Sequence, residues 1–167
     1  MRLSPKPDLI EQLPRLRRYA RALTGDVARA DDLVQDTLER ALAKLDLWQP
    51  DSDLRAWLFT LMHNLFVNQL RTRRLQDVAL DDALELPVSG GQLEALAARD
   101  VHAALARLPE AQREVILLVG LEQFSYAEAA QVLGVPAGTV MSRLARARER
   151  MRQMLAGEPA VQLKVVK

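Results

Sequence analysis

The stretch from Ser125 to Arg148, SYAEAAQVLGVPAGTVMSRLARAR, constrains this chain more than any other part of it. Ser125 and Glu128 stand at the spacing of a capping box, which starts a short helix. Gly134 can take the left-handed conformation that ends it, and Pro136 suits the first turn of the next. The punctuation therefore predicts two short helices and a tight corner, a helix-turn-helix. On the second helix Val140, Leu144, Ala147 and Met151 fall on one face. That leaves Thr139, Ser142, Arg143, Arg146, Arg148 and Arg150 free to meet phosphates and base edges in a major groove. A solvated arginine face on an ordinary helical hairpin is the competing reading. It accounts for the arginines, but not for cap, glycine, proline and arginine spacing together.

At 167 residues the chain can form one compact domain or two small ones. Its abundant Leu and Ala and its scarcity of β-branched runs predict an all-α fold. The chain has no cysteine, which excludes disulfides and thiolate metal sites. His63 and His102 lie far apart and neither has a partner at metal-ligand spacing, so both read as structural and no metal is expected. The N-terminal MRLSPKP lacks the apolar centre of a signal peptide, and the longest apolar run, Val115 to Leu121, is too short to cross a bilayer. A cytoplasmic protein is the expectation. The net charge of +1 argues against a generic nucleic-acid binder, so the distribution of charge carries the argument.

That distribution is uneven. Residues 75–100 hold six carboxylates, Asp77, Asp81, Asp82, Glu85, Glu94 and Asp100, against the single base Arg99, a net of −5 that leaves +6 for the rest. The same stretch contains the breaker cluster Pro87-Val88-Ser89-Gly90-Gly91. It reads as an acidic, flexible linker between two small helical domains, residues 1–74 and 101–156, with a loose tail over 157–167. An exposed interhelix loop is the alternative, and loops of this length are uncommon inside compact domains.

In the first domain, Ile10, Leu13, Leu16, Ala20 and Leu23 form the stripe of a helix ending near Thr24-Gly25-Asp26. A second helix, Ala28 to Leu45, carries Leu33, Val34, Leu38, Ala41, Leu42 and Leu45 on one side, with Asp31, Asp32, Gln35, Asp36 and Glu39 on the other. Trp48 to Asp53 reads as a loop. A third helix, about Asp53 to Arg74, packs through Trp57, Leu58, Leu61, Leu65, Val67 and Leu70. Its Asn64, Asn68, Gln69, Arg71, Arg73 and Arg74 build a polar and then basic end. Amides for base edges, guanidinium groups for phosphates and a π-face for stacking are what single-stranded nucleic acid requires. Trp57 and Phe66 read as core aromatics, whereas Trp48 in its polar loop is the candidate for stacking. After the linker, Val101, Leu105 and Leu108 mark a fourth helix, and Pro109 to Arg113 opens a fifth running through Val119.

Two helical modules, one suited to single strands and one to duplex, resemble the bacterial RNA polymerase sigma factors of the extracytoplasmic-function (ECF) type. Ala30 to Leu38 is similar to the helix by which that family grips polymerase, and Leu54 to Phe59 with Asn64 to Arg74 resembles its promoter-melting helix. Leu108 to Arg113 and Gly138 to Arg148 complete the pattern, which covers roughly residues 10–155.

The resemblance implies a division of labour. Asp31, Asp32, Gln35 and Asp36 would meet the clamp helices of the polymerase's largest subunit, with the flap as a further polymerase contact. Trp48, Asn64, Asn68, Arg71, Arg73 and Arg74 would hold the melted minus-ten strand, Trp48 and Asn64 forming the pocket for a flipped base. Thr139, Ser142, Arg143, Arg146 and Arg148 would contact the minus-thirty-five duplex, Ser142, Arg143 and Arg146 at the recognition positions and Arg148 and Arg150 on phosphates or in solvent. Met141 and Ala145 stand where relatives place an arginine or aromatic residue, and a contact to thymine methyls and no contact remain equally open. The family acts without catalytic residues or cofactor, has no small-molecule substrate, and is commonly held by an anti-sigma factor. A helix-turn-helix regulator that never joins polymerase is the alternative, and it would need a dimer interface that no extra apolar helix supplies.

Overall fold

Seven α-helices and no strand make up residues 7–76 and 92–156, the part of the chain that the computed structural model describes, leaving aside the side chains of residues 92–96. Helix α1 spans Leu9–Thr24. The carboxylate of Asp8 caps it by accepting from the backbone N–H groups of Ile10 and Glu11 at 3.0 and 3.4 Å. It ends at Gly25, whose φ of 70° is left-handed and whose N–H donates to the Arg21 carbonyl. Its buried face is Leu16, Tyr19, Ala20 and Leu23, joined by Leu9 and Leu13. Ile10, expected in that stripe, is 79% exposed. It lies one residue past Leu9 and so about 100° around the helix, off the packed face.

Helix α2, Val27–Ala43, is capped by Asp26 and buries Ala30, Leu33, Val34, Thr37 and Ala41. It stops short of the expected Leu45. Lys44 N–H bonds back to both Arg40 and Ala41, and the chain tightens into a 3₁₀ turn over Leu45–Leu47. Leu42, placed by periodicity on the core side, is exposed. Helix α3, Leu54–Gln76, begins at Asp53, whose side chain accepts from Arg55 and Ala56 N–H. Its fully buried residues are Leu58, Phe59, Leu61, Met62 and Phe66. The expected Trp57, Leu65, Val67 and Leu70 are only half-buried.

Helix α4 spans Gln92–Arg107 and so begins nine residues before the expected Val101. Residues 95–98, Ala-Leu-Ala-Ala, are strong helix formers, and their propensity outweighs the acidic composition that suggested linker. Of the expected linker, 75–76 belong to α3 and 92–100 to α4. Residues 77–91, with Asp77, Asp81, Asp82 and Glu85, lie outside the described residues, as does the expected tail over 157–167.

Helix α5, Glu110–Ile116, does not continue to Val119 as an α-helix but widens into a π-turn over Leu117–Leu121. Helix α6, Tyr126–Leu133, carries the full capping box: Ser125 Oγ accepts from Glu128 N–H at 3.1 Å, and Glu128 Oε2 from Ser125 N–H at 2.8 Å. Gly134 ends it with φ 66°. Helix α7, Ala137–Leu155, starts one residue after Pro136 and buries Val140, Leu144, Ala147 and Met151 on the expected face.

Helix α2 packs on α1 and α3, while α4, α5 and α6 pack on α7. The two sets are docked on one another, α3 against α6 and α1 against α4, α5 and the π-turn, so their buried residues join into one cluster. Phe59 makes two edge-to-face contacts at this junction, one within its own half and one across to the other. Phe59 of α3 lies 5.0 Å from Tyr19 of α1 and 5.2 Å from Phe124, between ring centroids.

Candidate nucleic-acid interface

Between α2 and α3 runs a groove of about 760 Å³. The α2 wall supplies Arg29, Asp32, Gln35 and Asp36, and the α3 wall Asn68, Gln69, Thr72 and Arg73, over a floor that includes Leu65. The acidic residues expected to face a protein partner and the amide and arginine residues expected to face a strand are thus neighbours. Asp36 Oδ2 accepts from Gln69 Nε2 at 3.1 Å, and Gln35 Nε2 donates to Glu39 Oε1 at 3.2 Å. These exposed bonds order side chains without burying them, so the carboxylates stay available to a cation from outside. Asp31 and Asp32 are exposed, as are Asn64, Asn68, Arg71 and Arg74, while Arg73 is half-buried.

Trp48 follows the 3₁₀ turn and is half-buried rather than free in a loop. Its indole nitrogen is enclosed with no acceptor among the described residues, so only part of the ring presents a surface. No hydrogen bond joins Trp48 to Asn64 among the described residues.

On α7, Ser142, Arg146, Arg148 and Arg150 are exposed and Thr139 and Arg143 half-buried. Ser142 Oγ donates to the Thr139 carbonyl at 3.1 Å, which leaves its lone pairs as acceptors. Among the described residues no carboxylate pairs with Arg143, Arg146, Arg148 or Arg150. Further along, Arg152 is bound by Glu149 through Nε at 3.1 Å and Nη2 at 2.6 Å, and this hydrogen bonding holds the Glu149 carboxyl below its usual range. The cationic face of α7 thus lies within its first four turns. Met141 is 53% exposed and Ala145 exposed on the same outer side.

Two protein families match the two halves of the chain: the sigma2 domain of PhyR over residues 9–63 and sigma-70 region 4 over residues 98–151. The ECF RNA polymerase sigma factor EcfG of Rhodopseudomonas palustris is 44% identical over 154 residues, which cover 91% of this chain and 85% of EcfG. The chain belongs to the ECF RNA polymerase sigma factors. Among solved structures, the sigma factor RpoE in complex with the anti-sigma factor NepR, from Bartonella quintana, superposes with a TM-score of 0.80. It is 39% identical, and the match covers 91% of this chain and 96% of RpoE. The PhyRSL–NepR complex from Sphingomonas sp. Fr1 is more distant, with a TM-score of 0.68 and 27% identity over 96% of this chain and 95% of that one.

What sequence reasoning missed in this sigma factor is the junction between its halves. Arg18 donates to Glu122, Arg55 Nη1 to the Glu122 carbonyl at 3.0 Å, and the Arg55 guanidinium sits 4.0 Å above the Phe124 ring. His63 Nδ1 meets Glu114 Oε1 at 2.5 Å, a structural role as expected for an isolated histidine. Arg113 donates to the carbonyls of Leu105, Ala106 and Leu108, closing the C-terminus of α4, and to Leu23 at the end of α1. The available signal was a pair of carboxylates, Glu114 and Glu122, bracketing the apolar run 115–121. Charges set that close to a core segment must find partners or stay wet.

Tyr19 carries a measurable consequence. Burial, and then the nearby carboxylates Glu114 and Glu122, raise its phenol well above the ordinary value of 10.0. The folded state therefore holds the proton more tightly than the unfolded one. The resulting stability is complete below pH 10 and is lost as pH climbs beyond it. Thermal unfolding followed between pH 9 and 11 by circular dichroism is expected to show a steeper fall for this protein than for Tyr19→Phe. Parallel curves would contradict the burial of that hydroxyl.

Proposed function

We propose that this sigma factor divides promoter recognition between its two halves and the faces they leave exposed, with residues 1–74 and 101–156 as the working units. The α2 face of Asp31, Asp32, Gln35 and Asp36 binds the clamp helices of core RNA polymerase, and the C-terminal half meets the flap. The basic stretch of α3, with Asn64, Asn68, Arg71, Arg73 and Arg74, holds the melted minus-ten strand together with Trp48. Helix α7 reads the minus-thirty-five duplex through Thr139, Ser142, Arg143 and Arg146, with Arg148 on phosphate.

The observation that carries this reading is the α2–α3 groove, in which carboxylates suited to a protein cation adjoin amides and arginines suited to a strand. Arg143, Arg146, Arg148 and Arg150 of α7, which no carboxylate pairs among the described residues, supply the second, separate contact. The chain then acts in the cytoplasm, by binding alone and without a cofactor. No helix among the described residues is long and apolar enough to cross a membrane.

An anti-sigma factor is the expected regulator. Support comes from RpoE, solved with NepR bound, and from a groove of about 790 Å³ in this chain. That groove has an apolar floor including Leu105, Ile116 and Leu117, and a rim of Arg17, Arg18 and Arg21, which suits an acidic amphipathic helix.

Promoter-dependent transcription with purified core polymerase tests the reading. Asp36→Ala is expected to weaken core binding about tenfold, roughly 1.4 kcal/mol, while leaving binding to duplex DNA unchanged. Full core affinity in that variant would remove α2 from the polymerase interface. Duplex binding without any core binding by the unaltered chain would favour a regulator that acts alone.

A further inference from the structure

Over its first four turns helix α7 sorts its large side chains by polarity, with one exception. Val140, Leu144 and Ala147 are buried, and arginines take much of the outer side. Met141 is a large apolar side chain left 53% exposed among them. Its surroundings decide what it can touch. Gly138, Ser142 and Ala145 stand four and three positions apart, so they share one line along the helix, and all three are exposed. At about 100° per residue that line lies opposite the buried stripe, with Met141 and Arg148 flanking it on one side and Arg143 and Arg146 on the other. A Cβ added at Gly138 would meet nothing within 4 Å, so the outermost edge is open space. Short side chains there let the helix axis come close to whatever it faces.

A single exposed apolar residue is ordinary on a protein surface. On a face that enters a major groove it has a specific consequence. Phosphates and most base edges are polar, and a thioether offers them no donor and only a weak acceptor. The apolar group that stands out in that groove is the C5 methyl of thymine, which cytosine lacks. Methionine, with three rotatable bonds and a polarizable sulfur, can shape itself to such a methyl. A guanidinium on the same flank would seek guanine O6 and N7 or a phosphate instead.

We propose that Met141 is a specificity-determining residue that reads a thymine methyl in the minus-thirty-five duplex, and that the short side chains of Gly138, Ser142 and Ala145 admit the helix deeply enough for the contact. The inference rests on the reading of α7 as the helix that meets the duplex, and it names a base feature which that reading leaves open.

The test uses the full chain. A duplex library of random sequence, bound by the protein and then sequenced, gives the preferred site. Each thymine of that site is next replaced in turn by deoxyuridine, which removes one methyl and keeps every hydrogen-bonding group. For the unaltered chain one such replacement is expected to weaken binding about fourfold, the effect of leaving a single methyl unburied. In Met141→Gln the thymine and deoxyuridine duplexes are expected to bind alike. The side chain is exposed, so thermal unfolding of this variant should match that of the unaltered chain. If no deoxyuridine weakens binding by the unaltered chain, the inference is overturned. A methyl effect that persists at equal size in Met141→Gln overturns it as well. A library that yields no preferred sequence overturns the reading of α7 itself, an outcome distinct from both.

Discussion

Phe59→Ala is expected to destabilise the protein by about 3 to 5 kcal/mol. The ring is 1% exposed and touches both neighbouring aromatics edge-on, Tyr19 within its own half and Phe124 from the other. Truncation removes the transfer free energy of the ring and leaves a cavity that rigid helices on both sides cannot fill. It also removes the apolar counterweight to two buried carboxylates. The loss should therefore exceed that of a similar change confined to one half, such as Leu33→Ala. Urea unfolding checks this through the midpoint, with the slope showing whether the halves still unfold together. A loss below about 1 kcal/mol would mean that the junction adds little to stability.

Arg143→Ala and Arg146→Ala are each expected to weaken binding of the cognate minus-thirty-five duplex by about 1 to 3 kcal/mol, if each guanidinium forks onto a guanine. Both sit beside the buried stripe of Val140, Leu144 and Ala147, on the first turns of a helix whose start is set by Pro136. Neither is neutralised by a carboxylate among the described residues, so their donors are not already committed. Arg148→Ala should act differently, weakening all duplexes alike and lowering the salt dependence by about one unit of slope. Affinities on cognate and scrambled duplexes at several salt concentrations distinguish the two patterns. Equal losses on both duplexes for Arg143→Ala would assign that residue to phosphate rather than to base.

The helix-turn-helix was fully legible because its signals are local. Ser125, Glu128 and Gly134 act on backbone groups within four residues of themselves, and the capping box and left-handed glycine both form. The α7 stripe follows from periodicity alone, and so does the polar face of α2. The structure departs from the local pattern mainly where packing between distant segments decides. Ile10 and Leu42 are apolar and helical yet exposed, because no neighbour among the described residues covers that side of their helices. Helix α4 starts nine residues before Val101, because the helix propensity of residues 95–98 outweighs the acidic composition around them. The widening of the helix into a π-turn at Leu117–Leu121 had no sequence signal in an unbroken apolar run.

The surfaces divided in the same way. The sequence alone determined that this chain is helical, that it carries a helix-turn-helix armed with arginine, and that acidic and basic faces lie on separate helices. Each of these depends on residues a few positions apart, and backbone geometry converts such spacing directly into a face or a turn. Only the tertiary structure decided that the acidic face of α2 and the amide face of α3 wall one groove, and that Arg18 reaches Glu122 across 104 residues of chain. It also decided that Trp48 is half enclosed rather than free. Contacts between helices distant in sequence depend on which faces pack, and that choice is made by the burial of the whole core rather than by any one segment.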